Sequence, residues 1–365
     1  MKKLLLLAAA AVALSANAQT LTQTWKVDIP STLPWADCRQ GVGMDGKIYI
    51  NNKSDQKVYV VTANGVAEAT LPGGANCGIG LDQAGNIFVS DAAFPNSWAA
   101  DAPIIKVYNP ATPNEVTTLS ITEDIAGMGR ADFVGSAKGD LTGEGELLLV
   151  GGTSTGISKL VVVDGETSAD DSYVASIEGV TFGNLVVVRP FMDGEEEKYL
   201  YQARNAAPAI IFADGDNFAV EKTMAWEEKG ACNGSDIFVL GGKKYVVYPT
   251  LPNYTDGVAI ACLDDEAVDG TLPAVAKVAP ELSANPNSCQ ANWLNAEVVS
   301  ENEAIIYQYV PGAYAKAFSF TVGAPTGIND VNAANDVKVR KVVENGQVYI
   351  INGDAKYNVM GAQVK

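Results

Sequence analysis

The chain has 365 residues, of which 47% are apolar, and it carries a formal net charge of −18 with no histidine. This composition indicates a folded protein with a large core and excludes an intrinsically disordered chain. The acidic surface repels phosphate backbones, so nucleic acid is not expected as a partner. Without histidine, Ser-His-Asp and Cys-His nucleophile systems and histidine-ligated zinc are excluded.

The N-terminus has the pattern of an export signal. Lys2 and Lys3 precede an apolar run from Leu4 to Leu14, and Ala16-Asn17-Ala18 matches a small-x-small cleavage site. The apolar run is shorter than the roughly 20 residues that span a bilayer, and no transmembrane segment is predicted later in the chain. We therefore expect residues 1–18 to be a signal peptide. The mature protein is expected to be an exported monomer in the periplasm, at the cell surface or in the medium.

Residues 38–52 and 77–91 are two copies of one pattern, 39 residues apart. Each copy predicts a strand, a tight glycine turn and a second strand, and a four-stranded unit of about 40 residues is typical of a propeller blade. Runs rich in Val, Ile, Leu, Tyr and Phe between glycine turns continue this pattern as far as residue 322. The strands predicted for the later blades are 132–137, 146–150, 158–163 and 172–177, then 184–189, 198–202, 209–213 and 217–222, then 236–240, 244–248, 257–263 and 274–278, and finally 293–299, 304–310 and 315–322.

The last of these blades lacks a fourth strand, and the N-terminus has a spare one at residues 23–29, ahead of Pro30. We predict that this strand completes the last blade from outside, because closure removes the open edges of the ring. The predicted fold class is all-β: a six-bladed β-propeller over residues 19–323, closed by an N-terminal strand, with five or seven blades as the alternatives.

A short C-terminal β tail follows the propeller. Residues 324–337 are small and polar and are predicted to be a linker, and residues 338–365 are predicted to contain two or three strands. The tail has a strand ending at Ile351, an Asn352-Gly353 turn and the ending Tyr357-Asn358-x-x-Gly361-x-x-Val364. These residues resemble the C-terminal sorting domains of the type IX secretion system, which implies a sorting role for the tail.

Aromatic and polar residues collect in two sets of loops. In a propeller, the loop entering each blade's first strand and the loop between its second and third strands lie on the same face, around the central channel. Aromatic rings stack on sugars or apolar side chains, and the planar arginine fork binds carboxylates. We therefore predict that these loops, named the loop rim here, bind a glycan or a peptide; the alternative is that the aromatic rings only cap the blade cores. The loop rim consists of Trp35, Arg39, Trp98, Arg130, Arg204, Trp226, Asn233 and Tyr254.

The second copy of the repeat contains Asp82-x-x-Gly85-Asn86 followed by Val89-x-Asp91. It resembles the repeat of NHL and SMP-30/gluconolactonase-like propellers, which implies the propeller fold. The lactonase members hold a divalent cation in the channel with Glu, Asn and Asp, and oxygen ligands of this kind suit calcium. The alternative is that the polar side chains at these places bond to inner-strand backbone and channel water. The corresponding positions here are near Asp37, Asn76, Asn233 and Asn292, without a glutamate in the first blade.

The five cysteines are odd in number and cannot form a closed set of disulfides. Four of them stand just before the first strands of repeats. We predict that they are small buried residues, with disulfides between neighbouring blades as the alternative. These four are Cys38, Cys77, Cys232 and Cys289.

Two classes of function stay open on the sequence. The first is an exported, non-enzymatic binding protein that recognises a glycan or a peptide through the loop rim, with no catalytic residues and no required cofactor. The second is a calcium-dependent lactonase, hydrolase or lyase of the SMP-30-like type. Propellers host both classes, so the fold cannot decide between them. The lack of histidine and of a complete set of metal ligands favours binding.

Overall fold

The computed structural model describes most of the chain after the predicted signal peptide. The residues described are 19–91, 103–125, 135–149, 156–180, 184–204, 206–230, 234–251, 255–282, 292–323, 339–344, 347–352, 355–358 and 363–364. Thr20–Thr321 form one compact unit, and the C-terminal strands belong to a second unit. In these ranges, no helix is long and apolar enough to cross a membrane.

The first unit is a six-bladed propeller of antiparallel sheets, as predicted. Blade 1 contains β2 (Gly41–Met44), β3 (Lys47–Asn52), β4 (Lys57–Thr62) and β5 (Gly65–Pro72), and blade 2 contains β6 (Ile79–Leu81), β7 (Ile87–Ser90), β8 (Pro103–Tyr108) and β9 (Thr117–Ser120). Blade 3 contains β10 (Ser136–Gly139), β11 (Gly145–Leu149), β12 (Ile157–Val163), β13 (Glu166–Thr167) and β14 (Tyr173–Ala175), and blade 4 contains β15 (Asn184–Asp193), β16 (Glu196–Arg204), β17 (Ala209–Asp214) and β18 (Asn217–Thr223). Blade 5 contains β19 (Asp236–Leu240), β20 (Lys243–Pro249), β21 (Val258–Cys262) and β22 (Ala274–Val278), and blade 6 contains β23 (Trp293–Ser300), β24 (Glu303–Val310), β25 (Tyr314–Thr321) and β1 (Thr20–Asp28).

The two faces of the propeller follow from this strand order. The turns between the first and second strands and between the third and fourth strands lie on one face, which we call the turn face. The loops entering the first strands and those between the second and third strands lie on the opposite face, the loop face. The turn between β2 and β3 has positive φ at Asp45 (52°) and Gly46 (71°). Two such residues make a type I′ turn, whose twist matches that of the two strands, so Asp-Gly is a strong hairpin signal.

Neighbouring blades pack tightly through aromatic residues and glycines. Tyr307 and Tyr309 of β24 join Ile48 and Ile50 of β3 in one apolar cluster between blades 6 and 1. A Cβ atom at Gly43 of β2 would lie 1.9 Å from Cγ of Tyr307. The glycine repeated in the inner strands is therefore required by close packing of a neighbouring ring.

The ring is closed by β1, which confirms the predicted closure by an N-terminal strand. It pairs antiparallel with β25, from Thr20 opposite Thr321 to Asp28 opposite Tyr314. The backbone N–H of Ile29 then donates to the carbonyl of Ala313 at 2.9 Å. The last blade thus combines three strands from the C-terminal end of the propeller with one from its N-terminal end.

A charged cluster supports this closure. Glu281, which follows β22, accepts hydrogen bonds from Nζ of Lys26 in β1 and Nζ of Lys316 in β25, both at 2.6 Å. Both ammonium groups also lie 4.3 Å from the ring centre of Tyr314. The hydrogen bonds from Lys26 and Lys316 lower the pKa of Glu281. Blade 5 is therefore linked to both outer strands of blade 6.

We expect acid to remove the contribution of Glu281 to stability. The pKa of Glu281 is lower in the folded chain than in the unfolded chain, so its contribution is complete above the unfolded value of about 4.3 and is lost as the pH falls through the folded value. Because the carboxylate is 44% exposed, the effect should be about 1 kcal/mol or less. Chemical unfolding at pH 7 and pH 3 should show Glu281→Gln more destabilising at pH 7 than at pH 3. The exposed Glu301→Gln serves as the control, and an equal Glu281→Gln effect at both pH values would contradict the prediction.

The strand bounds agree with the predicted ones within a few residues in blades 4, 5 and 6. Blade 3 differs most: its first strand is Ser136–Gly139 instead of 132–137, and β13 and β14 both pair with β12 where one outer strand was predicted. The insertion of Ser168–Ser172 between β13 and β14 explains the split, since Ser172 Oγ accepts from Val161 N and donates to Ser168 O.

The second unit contains one antiparallel sheet in the order β26 (Val339–Glu344), β27 (Gln347–Asn352), β28 (Ala355–Asn358) and β29 (Gln363–Val364). The prediction of two or three strands for the tail was therefore too low. The extra strand, β29, has only two residues, and so short a segment carries no alternation that a sequence pattern could show. The sorting role of the tail stays a prediction, and the predicted linker and signal peptide lie outside the described residues.

Candidate functional site

A cavity of about 280 Å³ lies in the central channel. Residues from the first strand of every blade line it. Met44 ends β2, and Gln83 belongs to the turn between β6 and β7, so the cavity extends towards the turn face. The position on the channel axis, where all blades meet, makes it a natural place for a small ligand.

Many polar side chains around the channel bond to backbone of the neighbouring blade. Asn295 of blade 6 makes two bonds of 2.7 Å to Gly43 of blade 1, one to its N–H and one to its carbonyl. Asp236 of blade 5 accepts from Ala296 N of blade 6 at 2.9 Å. These bonds replace the sheet hydrogen bonds that separate blades cannot make with each other.

The same kind of bond links the remaining blades and completes a ring of contacts between residues in or next to the first strands of neighbouring blades. The bonds are Gln40 Oε1 with Ile79 N between blades 1 and 2, Asp82 Oδ2 with Leu141 N between blades 2 and 3, Ser136 Oγ with Val188 O between blades 3 and 4, and Arg189 Nε with Ser235 O between blades 4 and 5. The polar channel wall therefore has a structural role first.

Arg189 and Asp236 form a loose ion pair beside the cavity. Arg189 Nε lies 3.8 Å from Asp236 Oδ1, and the two side chains are only 20% and 16% exposed. Burial raises the pKa of Asp236, although Arg189 and two backbone N–H donors act in the opposite direction. Burial likewise lowers the pKa of Arg189, which Asp236 opposes. Removing both charges from water is costly, and at this long separation the attraction between them does not fully offset that cost.

The other carboxylates at the cavity are held by donors of the protein. Asp82 accepts from the backbone N–H and the side-chain amide of Asn86 at 2.8 Å each, besides its bond to blade 3. Glu297 accepts from Asp45 N and from the hydroxyl of Tyr307. Carboxylates fixed in this way orient the inner strands and are not arranged as an acid and base pair.

Two loop-rim residues, Trp35 and Arg39, lie together ahead of β2. Both are half-buried, and the Arg39 guanidinium lies 5.8 Å from the centre of the Trp35 ring, within cation–π range. Arg39 Nε also donates to the carbonyl of Ala36 at 3.2 Å, which restricts its orientation. The structure thus brings together an aromatic ring and a guanidinium ahead of β2, and their role in ligand binding stays a prediction.

Trp226 does not have the surface position that the loop rim required. Its side chain is 4% exposed and packs on Tyr248, with ring centres 4.9 Å apart. It belongs to an apolar cluster between blades 4 and 5 that includes Ile237 and Leu272. The strand order shows on which face a loop lies but not how deeply its side chains are buried. For Trp226 the alternative interpretation applies, in which the ring caps a blade core.

The structure does not describe the side chains of the remaining loop-rim residues. Trp98, Arg130, Asn233 and Tyr254 lie outside the described residues. Arg204 ends β16, and its backbone pairs with Asn184 of β15. Their proposed contribution to ligand binding stays a prediction.

Two positions that the resemblance to lactonases suggested for a cation make hydrogen bonds within the protein. Asn76 Oδ1 accepts from Cys77 N at 2.7 Å. Asn292 donates from Nδ2 to Gly257 O at 3.0 Å and accepts from Gln308 at 3.0 Å. Asp37 lies 3.9 Å from Lys53 Nζ. Across the described ranges, no group of three or more Cys, Asp or Glu side chains is arranged to hold a metal. These contacts fit the structural alternative, and calcium binding stays a prediction.

The described cysteines are buried thiols. Cys38 and Cys77 precede the first strands of blades 1 and 2, and Cys262 ends β21; all three are free and buried. Burial raises the pKa of Cys38 strongly. A thiol that does not ionise is a packing residue and not a nucleophile. Cys232 and Cys289 lie outside the described residues.

Sequence reasoning did not select Arg189, Asp236 or Glu297 as residues of a site. Arg189 follows three valines in β15, and a charged residue within an otherwise apolar inner strand is a signal that could have identified it. Glu297 stands among apolar residues of β23 in the same way. Both signals mark a strand that faces a polar space on the channel axis.

Comparison with known proteins supports the fold. No family model matches the chain, and no curated protein matches it. Among solved structures, a DUF4623 family protein from Bacteroides eggerthii is similar with a TM-score of 0.61 and 11% identity, over 84% of this chain and 77% of that chain. A gluconolactonase from Xanthomonas campestris has a TM-score of 0.44 and 11% identity over 85% of this chain and 92% of that chain, and the major Malassezia sympodialis allergen Mala s 1 has 0.41 and 10% over 85% and 97%. At such identities the similarity to the first of these structures shows a shared fold and nothing about activity.

Proposed function

We propose that the chain is an exported, non-enzymatic binding protein whose loop rim recognises a glycan or a peptide. The observation that carries this proposal is the pair of Trp35 and Arg39, half-buried and in cation–π contact on the loop face. An aromatic ring and a guanidinium held side by side offer one apolar surface and one charged edge to the same ligand.

The channel supports binding over catalysis. Asp82, Asp236 and Glu297 all accept hydrogen bonds from backbone N–H groups that hold the inner strands. A general acid or base must instead be within reach of a substrate proton and have a pKa suited to its exchange. The chain also contains no histidine to act in that role.

The expected ligand follows from the charges. The protein is strongly acidic overall, so a local guanidinium is of most use for an acidic group that the rest of the surface would repel. A glycan that contains uronic acid, or a peptide carboxylate, combines such a group with faces that stack on tryptophan. These are the two ligand classes that we propose for the loop rim.

Replacing either residue of the pair should weaken binding without unfolding the propeller. In an array of glycans and peptides, we expect hits whose affinity falls at least about tenfold in Trp35→Ala and in Arg39→Ala, equivalent to ~1.4 kcal/mol. The matched control is Tyr173→Ala, which removes the ring of another cation–π pair, with Lys159 at 5.3 Å in blade 3. Equal binding by Trp35→Ala, Arg39→Ala and the parent would move the site away from this pair.

The calcium-dependent lactonase, hydrolase or lyase is the competing function. It predicts that the purified protein opens lactones or cleaves glycans only when calcium is supplied, whereas the binding protein shows neither activity. Calcium-dependent turnover that persists in Trp35→Ala would overturn the proposed function.

A further inference from the structure

The channel cavity has the features of a second ligand site, at some distance along the axis from the loop rim. We infer that it binds a neutral sugar or polyol of monosaccharide size. This inference concerns the turn-face part of the channel and is independent of the function proposed for the loop face. Its support comes from one guanidinium, three carboxylates and apolar side chains around the same space.

The guanidinium of Arg189 presents unused donors to the cavity. Nε donates to Ser235 O at 3.3 Å and Nη1 donates to the Ser136 hydroxyl at 3.1 Å. Within the described residues, Nη2 has no acceptor, and the nearest carboxylate contact is the 3.8 Å approach of Asp236 to Nε. Arg189 lines the cavity and its side chain is 20% exposed, so these N–H groups are available to an acceptor oxygen from outside the protein.

Acceptors lie on the same wall. Asp236 and Glu297 both line the cavity. Each oxygen of Asp236 accepts one backbone N–H, from Ile237 and Ala296, and a carboxylate oxygen can accept a second donor. A ligand that both donates to carboxylates and accepts from a guanidinium is served by hydroxyl groups, which do both.

The charge balance selects a neutral ligand. Three carboxylates and one guanidinium line the cavity, namely those of Asp82, Asp236, Glu297 and Arg189. Their net negative charge opposes an anion such as a uronate or a phosphate. A simple cation would bind the carboxylates but would leave the Arg189 donors without an acceptor. Hydroxyl groups can donate to the carboxylates and accept from the guanidinium without adding a charge to a partly buried cavity.

The rest of the wall and the volume agree with a sugar ring. Val42, Met44, Leu81 and Pro190 supply apolar surface to the cavity, and C–H faces of a pyranose pack on such surface. The volume of about 280 Å³ corresponds to roughly nine water molecules at ~30 Å³ each. This space accepts a single hexose and not an oligosaccharide.

A groove lies next to the cavity on the turn face. This groove of about 530 Å³ between blades 1 and 2 is lined by Lys47, Tyr49 and Pro110 and shares Met44 and Glu297 with the cavity. The shared residues make the two spaces neighbours on the turn face.

Titration with small probes tests the inference on the full mature chain. Glucose, galactose, mannose and myo-inositol are the neutral probes, and the charged probes are glucuronate, which is an anion, and alanine, which is a zwitterion, with binding followed by calorimetry and by amide chemical shifts. We expect at least one neutral probe to bind more tightly than both charged probes and to shift the amides of Ala296 and Glu297. Absence of neutral binding, tighter binding of glucuronate or alanine, or shifts confined to Trp35 and Arg39 would overturn it.

A cavity-filling variant gives a second test. Ala296→Leu places extra volume in the wall of the cavity and should lower the affinity for the neutral probe at least about tenfold. Ala63→Leu makes the same change in the exposed turn between β4 and β5 and should leave the affinity unchanged. Full affinity in a folded Ala296→Leu would overturn the inference. If this variant does not fold, the probe selectivity and the chemical shifts of the parent protein decide the outcome.

Discussion

Deleting residues 19–30 should destabilise the propeller by at least about 4 kcal/mol, more than most single substitutions can. The deletion removes β1, which pairs with β25 from Thr20 to Asp28. It also takes Trp25, Val27 and Ile29 out of the apolar cluster between blades 6 and 1. Burial of three such side chains is expected to contribute several kcal/mol.

The loss has a second part that concerns the edge of the sheet. Without β1, the outer edge of β25 presents unpaired N–H and C=O groups, which favour association between molecules. Lys316, only 1% exposed, would at the same time lose the closing strand beside it. We therefore expect the deleted protein to unfold at lower denaturant concentration and to form aggregates that the parent does not form.

Truncation after Val322 is the matched control for this deletion. It removes a longer segment but leaves β1 and all six blades in place, since Thr20–Thr321 form a compact unit by themselves. We expect the melting temperature of the propeller to stay nearly unchanged on truncation. A deletion of 19–30 that melts like the parent would refute the closing role of β1, and a large loss on truncation would show that the tail stabilises the propeller.

The propeller could be predicted because its signals are local and repeated. Asp45-Gly46 encodes a type I′ turn within a few residues, and the second copy of the repeat places its own glycine turn at Gly85. The spare N-terminal strand was identifiable for a similar reason, since one blade lacked a partner strand. The predicted strand bounds were wrong in blade 3, where the hydrogen bonds of Ser172 with Val161 and Ser168 divide the outer strand.

The channel network could not be predicted because its contacts connect distant parts of the chain. Asn295 bonds to Gly43 across 252 residues, and Arg189 contacts Ser136 and Ser235 across 53 and 46 residues. No local pattern shows which polar residue of one blade meets which backbone group of the next. The same limit applies to Trp226, whose burial depends on Tyr248 and Leu272 and not on its own loop.

The second large effect should appear when the ion pair of the channel is broken. Asp236→Leu is expected to destabilise the protein by about 3–5 kcal/mol, because it leaves the Arg189 charge without its counter-ion in a poorly solvated place. It also leaves the backbone N–H groups of Ile237 and Ala296 without an acceptor. Arg189→Met should be similarly costly, since Asp236 then keeps an unpaired charge and Ser235 O loses its donor.

The double variant Arg189→Met/Asp236→Leu distinguishes a pair from two independent residues. Each single change leaves one uncompensated charge, whereas the double change leaves none and fills part of the space with apolar atoms. The cost of the double variant should therefore be smaller than the sum of the single costs by at least about 1 kcal/mol, measured by chemical unfolding.

An exposed pair on the same propeller provides the comparison. Lys243 Nζ lies 3.3 Å from Asp265 Oδ1, closer than the atoms of the channel pair, but the two side chains are 49% and 33% exposed. Water screens this contact, so Lys243→Met, Asp265→Leu and their combination should couple by less than about 0.5 kcal/mol. A larger coupling at the surface than in the channel, or additive costs for Arg189→Met and Asp236→Leu, would contradict the role assigned to burial. We expect the larger coupling energy in the channel. The shorter contact at the surface lies in water, whereas the longer contact in the channel lies where desolvation makes each unpaired charge costly.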